Sequence, residues 1–276
     1  MKIEDIEKMG YSELVALVKE RNRPSGGIRT IQNVAVNSFL TKDKKMLEIG
    51  SNTGFTCVNM SLLTGCECVG IDINENSIRE AKEYAKMQNM GNKVSFIKAN
   101  TESLPFGYES FDVVWCSNVT SFIEDKEKVI KEYLRVLKPN GILVVVPIYY
   151  IKNPSDEIVS KISDAIGTKI EVWNKLFWTD LFEETSEKHK IPIELFYSKD
   201  FIYEDRINFI DEFVKIVLDK PHLKGLSEGS KSQIKKGYGD FIRLFNENLK
   251  YAGFSILLYQ KRRIKDEKEL FLTKEK

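Results

Sequence analysis

A strand that runs directly into a glycine turn is the feature that most narrows what this sequence can fold into. The stretch Met46 to Gly54, M-L-E-I-G-S-N-T-G, starts as a short apolar run and turns at Gly50-Ser51-Asn52-Thr53-Gly54. It then enters the amphipathic segment Phe55 to Leu63, the succession expected of a buried strand, a tight turn and a helix. Glycine suits such a turn because a Cβ would forbid the backbone angles and would keep a ligand away from the main chain. The first amide groups of the new helix then face that ligand. Glu48, on the strand just before the turn, disfavours phosphate and favours a ligand carrying hydroxyls or positive charge. The turn is therefore not read as a pyrophosphate cradle.

Around this unit the sequence alternates. Apolar runs at 46–50, 66–73, 94–98, 111–116 and 141–147 are separated by helical patterns, which predicts βαβ units and a parallel sheet covered on both faces. The fold class is α/β. The second run, C-E-C-V-G-I-D, ends at Asp72, about twenty residues after the first glycine, where a βαβ unit presents a carboxylate to ribose hydroxyls. The alternative is that Asp72 only caps the helix predicted over Glu75 to Asn89. Two helices, over Ile3 to Glu20 and Ile28 to Leu40, precede the sheet, with R-N-R-P-S-G-G at 21–27 breaking them apart.

Composition narrows the partner. The 42 basic and 41 acidic residues leave a formal net charge of +1, which is no footprint of a dedicated nucleic-acid or membrane-surface binder and points to a small molecule. Cys57, Cys66, Cys68 and Cys116 lack metal-ligand spacing and have no histidine near them, so they are read as buried free thiols with no metal. Met1 to Gly10 is charged, no run approaches the roughly 18 apolar residues of a membrane span, and a cytoplasmic protein is expected.

The sequence resembles the class I S-adenosylmethionine-dependent methyltransferases. The matching motifs are E-I-G-S-N-T-G at 48–54, G-I-D-I-N at 70–74, N-T-E-S-L-P-F at 100–106, F-D-V-V-W-C-S at 111–117 and R-V-L-K-P-N-G at 135–141, in the family's order and spacing. The resemblance implies a doubly wound, Rossmann-like sheet of seven mostly parallel strands, with S-adenosylmethionine as cofactor and S-adenosylhomocysteine as product. It places the methionyl part on Gly50 and Gly54, with Glu48 ordering the turn or the amino group. Asp72 takes the ribose hydroxyls, Ile73 packs on the adenine, Asn100 and Thr101 meet the adenine edge, and Ser117 with Asn118 lines the floor below the methyl group. Two positions depart from the family's usual pattern. Asn52 replaces a glycine but tolerates left-handed angles, and Asn100 replaces an aspartate but can still accept the adenine amino hydrogen bond. The Asn/Asp-Pro-Pro-Tyr/Phe turn of methyltransferases acting on nucleobases or glutamine is absent from C-S-N-V-T-S-F at 116–122, which excludes those acceptors.

What remains concerns the acceptor. Tyr149 and Tyr150 follow the fifth strand at the edge where open α/β sheets bind ligands, and are read either as acceptor contacts or as ordinary packed tyrosines. Strands are expected over Pro192 to Tyr197 and Gly253 to Gln260. In the family a short hairpin joins these two, whereas here roughly fifty residues intervene. That insertion reads as helices over Ile207 to Leu218 and Ile234 to Leu249 with a loop between them. The expected organisation is an N-terminal helical cap over 1–40 and a methyltransferase domain over 41–276, with a helical lid at 204–250 that encloses a small acceptor or serves as a homo-oligomer interface. His222, in the insertion, is the one candidate general base, against the plainer reading of a loop histidine. Arg29, just after the flexible turn, is a candidate partner for the methionyl carboxylate, against an ordinary exposed arginine. The charged tail from Lys261 to Lys276 reads as a solvated end. The function expected is methyl transfer to an oxygen or nitrogen of a small metabolite. A protein or RNA methyltransferase, or a cofactor-binding module without turnover, stands as the alternative.

Overall fold

A computed structural model describes residues 3–263; residues 264–276, most of the predicted tail, lie outside the described residues. In chain order the elements are α1 (Ile3–Glu7), α2 (Tyr11–Leu17), α3 (Ile28–Asn37), β1 (Lys45–Ile49), α4 (Phe55–Thr64), β2 (Glu67–Asp72), α5 (Glu75–Met87), β3 (Val94–Lys98) and β4 (Phe111–Cys116). There follow α6 (Lys126–Val136), β5 (Leu137–Val145), β6 (Ile148–Tyr150), α7 (Asp156–Ile166), α8 (Lys175–His189), β7 (Ile193–Ile202), α9 (Ile210–Leu218), α10 (Glu228–Leu249) and β8 (Ala252–Lys261). The described residues divide into two compact units, one built from residues 23–147, 178–199 and 256–263, the other from 3–22, 148–177 and 200–255.

The first of these is the sheet unit. Its strands run in the order β3-β2-β1-β4-β5-β8, with β1 to β5 parallel and β8 antiparallel to β5, and β7 pairs with β8. Strands β1 and β4 are buried on both faces, as a sheet covered by helices on each side requires. Helix α4 buries Phe55, Thr56, Cys57, Val58, Met60 and Ser61 and leaves Leu62 and Leu63 half-exposed, so it lacks the clean amphipathic face expected of this segment, while the more amphipathic α5 and α6 bury one stripe each. Asn74 and Asp125 cap α5 and α6 by accepting from amides of the first turn. At the far end of α6, buried Lys261 donates Nζ to the carbonyls of Leu134 and Leu137 at 2.8 and 2.7 Å, supplying the cation that a helix C-terminus favours. Trp115, Trp178, Tyr133, Tyr259 and Phe111 are among the bulkiest fully buried side chains of this unit.

Eight strands are present among the described residues, where seven were expected. The additional one is β6, which pairs antiparallel with the start of β8 through Ile148↔Phe254, Tyr149↔Gly253 and Tyr150↔Ala252. Three residues are too few for an alternating pattern to register in sequence.

The other unit is helical. Helix α10 is its axis, and α1, α2, α7 and α9 pack against it. The core is Ile6, Leu14, Val18, Ile210, Val214, Val217, Leu223, Ile234 and Tyr238. Removing 205–250 would take away α9 and α10, leaving α1 without the helix it packs on and α2 with only α7, so the insertion is part of this core. The single N-terminal helix expected over Ile3 to Glu20 is two, parted at Gly10, whose amide is met by the Glu13 carboxylate at 2.9 Å.

Candidate functional site

The site is built where the parallel strands end. Gly50 and Gly54 have φ of +68° and +80°, and Asn52 lies at +43°, so the turn is left-handed at three points and Asn52 fills the role expected of it. A Cβ on Gly50 would sit 2.9 Å from Val119 Cγ2 and one on Gly54 would sit 2.6 Å from Phe96 Cζ. Val119 belongs to the short 3₁₀ turn Asn118–Phe122 that follows β4. The glycine turn and the Ser117-Asn118 segment are therefore brought together across adjacent strands.

Two acids flank the turn, on neighbouring strands and in contrasting surroundings. Asp72, half-buried, fastens the loops: Oδ2 accepts from the Asn52 amide at 2.9 Å and Oδ1 from the Asn74 amide at 2.8 Å. Each oxygen keeps a lone pair for another donor. Glu48 is buried, and its Oε2 accepts from the Cys57 amide at 3.1 Å. Burial pushes its carboxyl up to about 7, the bonds from Cys57 and Thr56 oppose the shift, and the nearby Asp72 charge adds to it. Sequence reasoning had not linked Thr56 and Cys57 to Glu48, because they meet it only once the turn has folded the chain back.

The remaining sequence-nominated residues of this unit distribute unevenly. Thr101 is buried, while Asn100 Oδ1 accepts from the Glu102 amide at 2.9 Å, which uses one of that oxygen's two lone pairs. Asn118 Oδ1 accepts from Ser121 Oγ at 2.9 Å. Ile73 is 68% exposed at the end of β2, an apolar face with nothing packed on it. Arg29 is exposed in the first turn of α3. Arg23, which the sequence reading passed over, lies over the ring of Phe55.

Ser51 Oγ and Thr53 Oγ1 are buried within the turn and have no hydrogen-bond partner. An unpaired buried hydroxyl costs about 1–3 kcal/mol, a cost that polar groups of a ligand would relieve. Tyr149, Tyr150 and His222 belong to the helical unit, and each is engaged inside it. Tyr149 and Ser255 share a hydroxyl–hydroxyl bond of 3.0 Å, Tyr150 donates to Asn248 Oδ1 at 2.9 Å, and His222 Nε2 is 3.0 Å from the Leu17 carbonyl oxygen. Since a carbonyl only accepts, Nε2 carries the hydrogen, and Nδ1 is the nitrogen left to act as a base in the neutral ring.

Residues 47–145, which span β1 to β5 and every motif around the turn, match the family model described as "Methyltransferase domain". An uncharacterized protein of Haemophilus influenzae is 30% identical over 73% of this chain and 82% of its own length. The chain belongs to the class I S-adenosylmethionine-dependent methyltransferases. Norajmaline N-methyltransferase of Rauvolfia serpentina is 36% identical to this methyltransferase, but over 38% of the chain and 36% of the plant enzyme, so the alignment spans about a third of that relative. The crystal structure of MccD protein superposes with a TM-score of 0.72 at 22% identity, covering 87% of this methyltransferase and all of that chain, which is a likeness of fold. The residues present fit the family's cofactor: a left-handed glycine cradle, two buried hydroxyls lacking partners, and two acids where a ligand rich in hydroxyls and carrying an ammonium would meet them. Among the described residues no group of three or more His, Cys, Asp or Glu side chains could hold a metal ion, and all four cysteines are free and buried. No helix among them is long and apolar enough to cross a membrane.

Proposed function

We propose that this methyltransferase moves a methyl group from S-adenosylmethionine to an oxygen or nitrogen of a small-molecule metabolite. The observation that carries the reading is the Gly50–Gly54 turn, with its unpaired buried hydroxyls held between Glu48 and Asp72. When bound, the cofactor supplies an electrophilic methyl on a sulfonium, a leaving group that needs no acid. The chain's own work is then alignment and exclusion of water. In this reading Gly50, Asn52 and Gly54 receive the methionyl part, Glu48 faces its ammonium, and Asp72 uses its remaining lone pairs on the ribose hydroxyls. Ile73 offers its exposed face to the adenine, Asn100 and Thr101 meet the adenine edge, and Ser117 and Asn118 form the floor below the methyl group. Tyr149 and Tyr150 are read as contacts of the acceptor and His222 Nδ1 as the base.

Near-neutral net charge and a relative named for N-methylation of an alkaloid support a small acceptor over protein or RNA. Four buried free thiols support a reducing, cytoplasmic compartment. Incubating the enzyme with methyl-labelled cofactor and, in parallel, a small-metabolite fraction and a macromolecular fraction of a cell extract tests the reading. Label is expected in the small-metabolite fraction, and label confined to protein or RNA would replace the proposal with its alternative.

A further inference from the structure

The segment ahead of α3 is fastened down. Arg23 precedes Pro24, and a residue before proline is held near extended backbone. Pro24 is buried and its carbonyl accepts from the Gly27 amide at 2.7 Å, while Thr30 Oγ1 donates to the Ser25 carbonyl at 2.5 Å. The Arg23 side chain leaves this anchored turn and lies over Phe55, with Cζ 5.0 Å from the ring centroid. Phe55 is 8% exposed and is the first residue of α4, directly after Gly54. The sequence therefore delivers a guanidinium to the mouth of the glycine turn.

Two physical points make that placement informative. A cation beside a helix N-terminus opposes the helix dipole, so an anion between them would be held by both. Contact with a ring face engages the charge of a guanidinium and leaves its N–H donors for a planar, bidentate acceptor such as a carboxylate. No carboxylate among the described residues pairs with Arg23. Both arginines are exposed, and what sets Arg29 apart is its position, on the first turn of α3 and not over the first residue of α4.

We infer that Arg23, and not Arg29, binds the carboxylate of the cofactor's methionyl part. The inference rests on the reading that the Gly50–Gly54 turn receives that part of the cofactor.

Calorimetric titration with two ligands separates the two claims. S-adenosylhomocysteine carries the carboxylate, whereas 5′-methylthioadenosine has the same nucleoside and thioether without the amino-acid end. Arg23→Ala is expected to weaken S-adenosylhomocysteine by roughly ten- to a hundredfold, the scale of a charge-assisted bidentate contact, and to leave 5′-methylthioadenosine within about twofold. Arg23→Lys should recover part of the loss, because a point charge replaces the fork, and Arg29→Ala should bind both ligands as the parent does. Equal loss of both ligands on Arg23→Ala would make the residue a brace of the turn, and no loss, or loss on Arg29→Ala instead, would equally overturn the inference. A parent protein that binds neither ligand would overturn the underlying reading of the turn itself.

Discussion

The glycine turn of the sheet unit and the polar residues of the helical unit differ in what their hydrogen-bonding groups are doing. At the turn, Ser51 and Thr53 are buried without partners and Glu48 is held with its carboxyl raised. In the helical unit, Tyr149, Tyr150 and His222 are all committed to neighbours. A fold keeps buried groups unsatisfied only at a cost. Ser38, Trp115 and Tyr259 also carry such atoms elsewhere, but Ser51 and Thr53 lie two residues apart within the glycine turn, which marks a place where one ligand could complete both. Polar residues chosen for chemical type alone carry no such mark, since the same hydroxyl or imidazole serves equally well as a brace.

Paired substitutions press on this contrast. Gly54 and Gly167 share a left-handed backbone, at φ +80° and +70°, but a Cβ would meet Phe96 at 2.6 Å in the first and nothing within 4 Å in the second. Gly54→Ala is expected to cost about 2–4 kcal/mol from strain plus overpacking, and Gly167→Ala only the strain, about 1–2 kcal/mol. Denaturant midpoints read both, and equal losses would show that the turn is no more tightly built than an exposed helix end.

Glu48 gives a sharper test through pH. Its folded carboxyl, at about 7, lies above the ordinary 4.5 because of burial, so the folded state holds the proton more tightly than the unfolded one. Stability from this group is complete below about pH 4.5, declines as pH rises toward 7, and is lower by about 3 kcal/mol above it. Glu48→Gln should remove that slope from the ligand-free protein. Urea titrations at pH 5 and pH 8 check it: a parent and variant that change in parallel would mean the carboxylate is far better solvated than its burial implies.

The smallest effect on stability is expected at His222. Its ring is exposed and makes one bond, to the Leu17 carbonyl, so His222→Ala should change stability by less than about 1 kcal/mol. If Nδ1 takes the acceptor's proton, the variant should lose on the order of a hundredfold or more in kcat while cofactor binding is unchanged. An unchanged kcat would remove the residue from the chemistry and extend the contrast to the whole set of sequence-nominated residues in the helical unit.

The five parallel strands and the turn were legible because each depends on a local signal: an apolar run of strand length, or glycines where left-handed angles are needed. Elements set by distant partners were harder to read. β6 exists because Tyr149 pairs with Gly253, a match between residues about a hundred positions apart. α7 had a readable start and stop in Ser155, which caps the Ile158 amide, and in left-handed Gly167, with Ile158, Val159, Ile162 and Ile166 at helical spacing between them, so this helix was legible from local signals and the sequence reading passed over it. α10 begins at Glu228, several residues before the periodic segment expected from Ile234, because Ser227 caps it and its first turns carry few apolar side chains. At the site, Asp72 was legible from its distance to the glycines. The Cys57 amide on Glu48 and the Arg23 stack on Phe55 were not, since both arise from how the chain folds back on itself.

The bond between Lys261 and the end of α6 bears on the order in which the chain can be completed. Strand β5 has its far edge covered by β8, and α6 has its last carbonyls met by Lys261, so both finishing contacts come from a segment made more than a hundred residues after the elements it closes. On the ribosome, β5 would emerge and wait with an open strand edge, and α6 with unmet carbonyls, until the helical unit had been synthesised. The sheet unit is thus closed by the later of its own segments, and a nascent chain stalled before Ala252 presents an edge that a chaperone or a neighbouring chain can occupy.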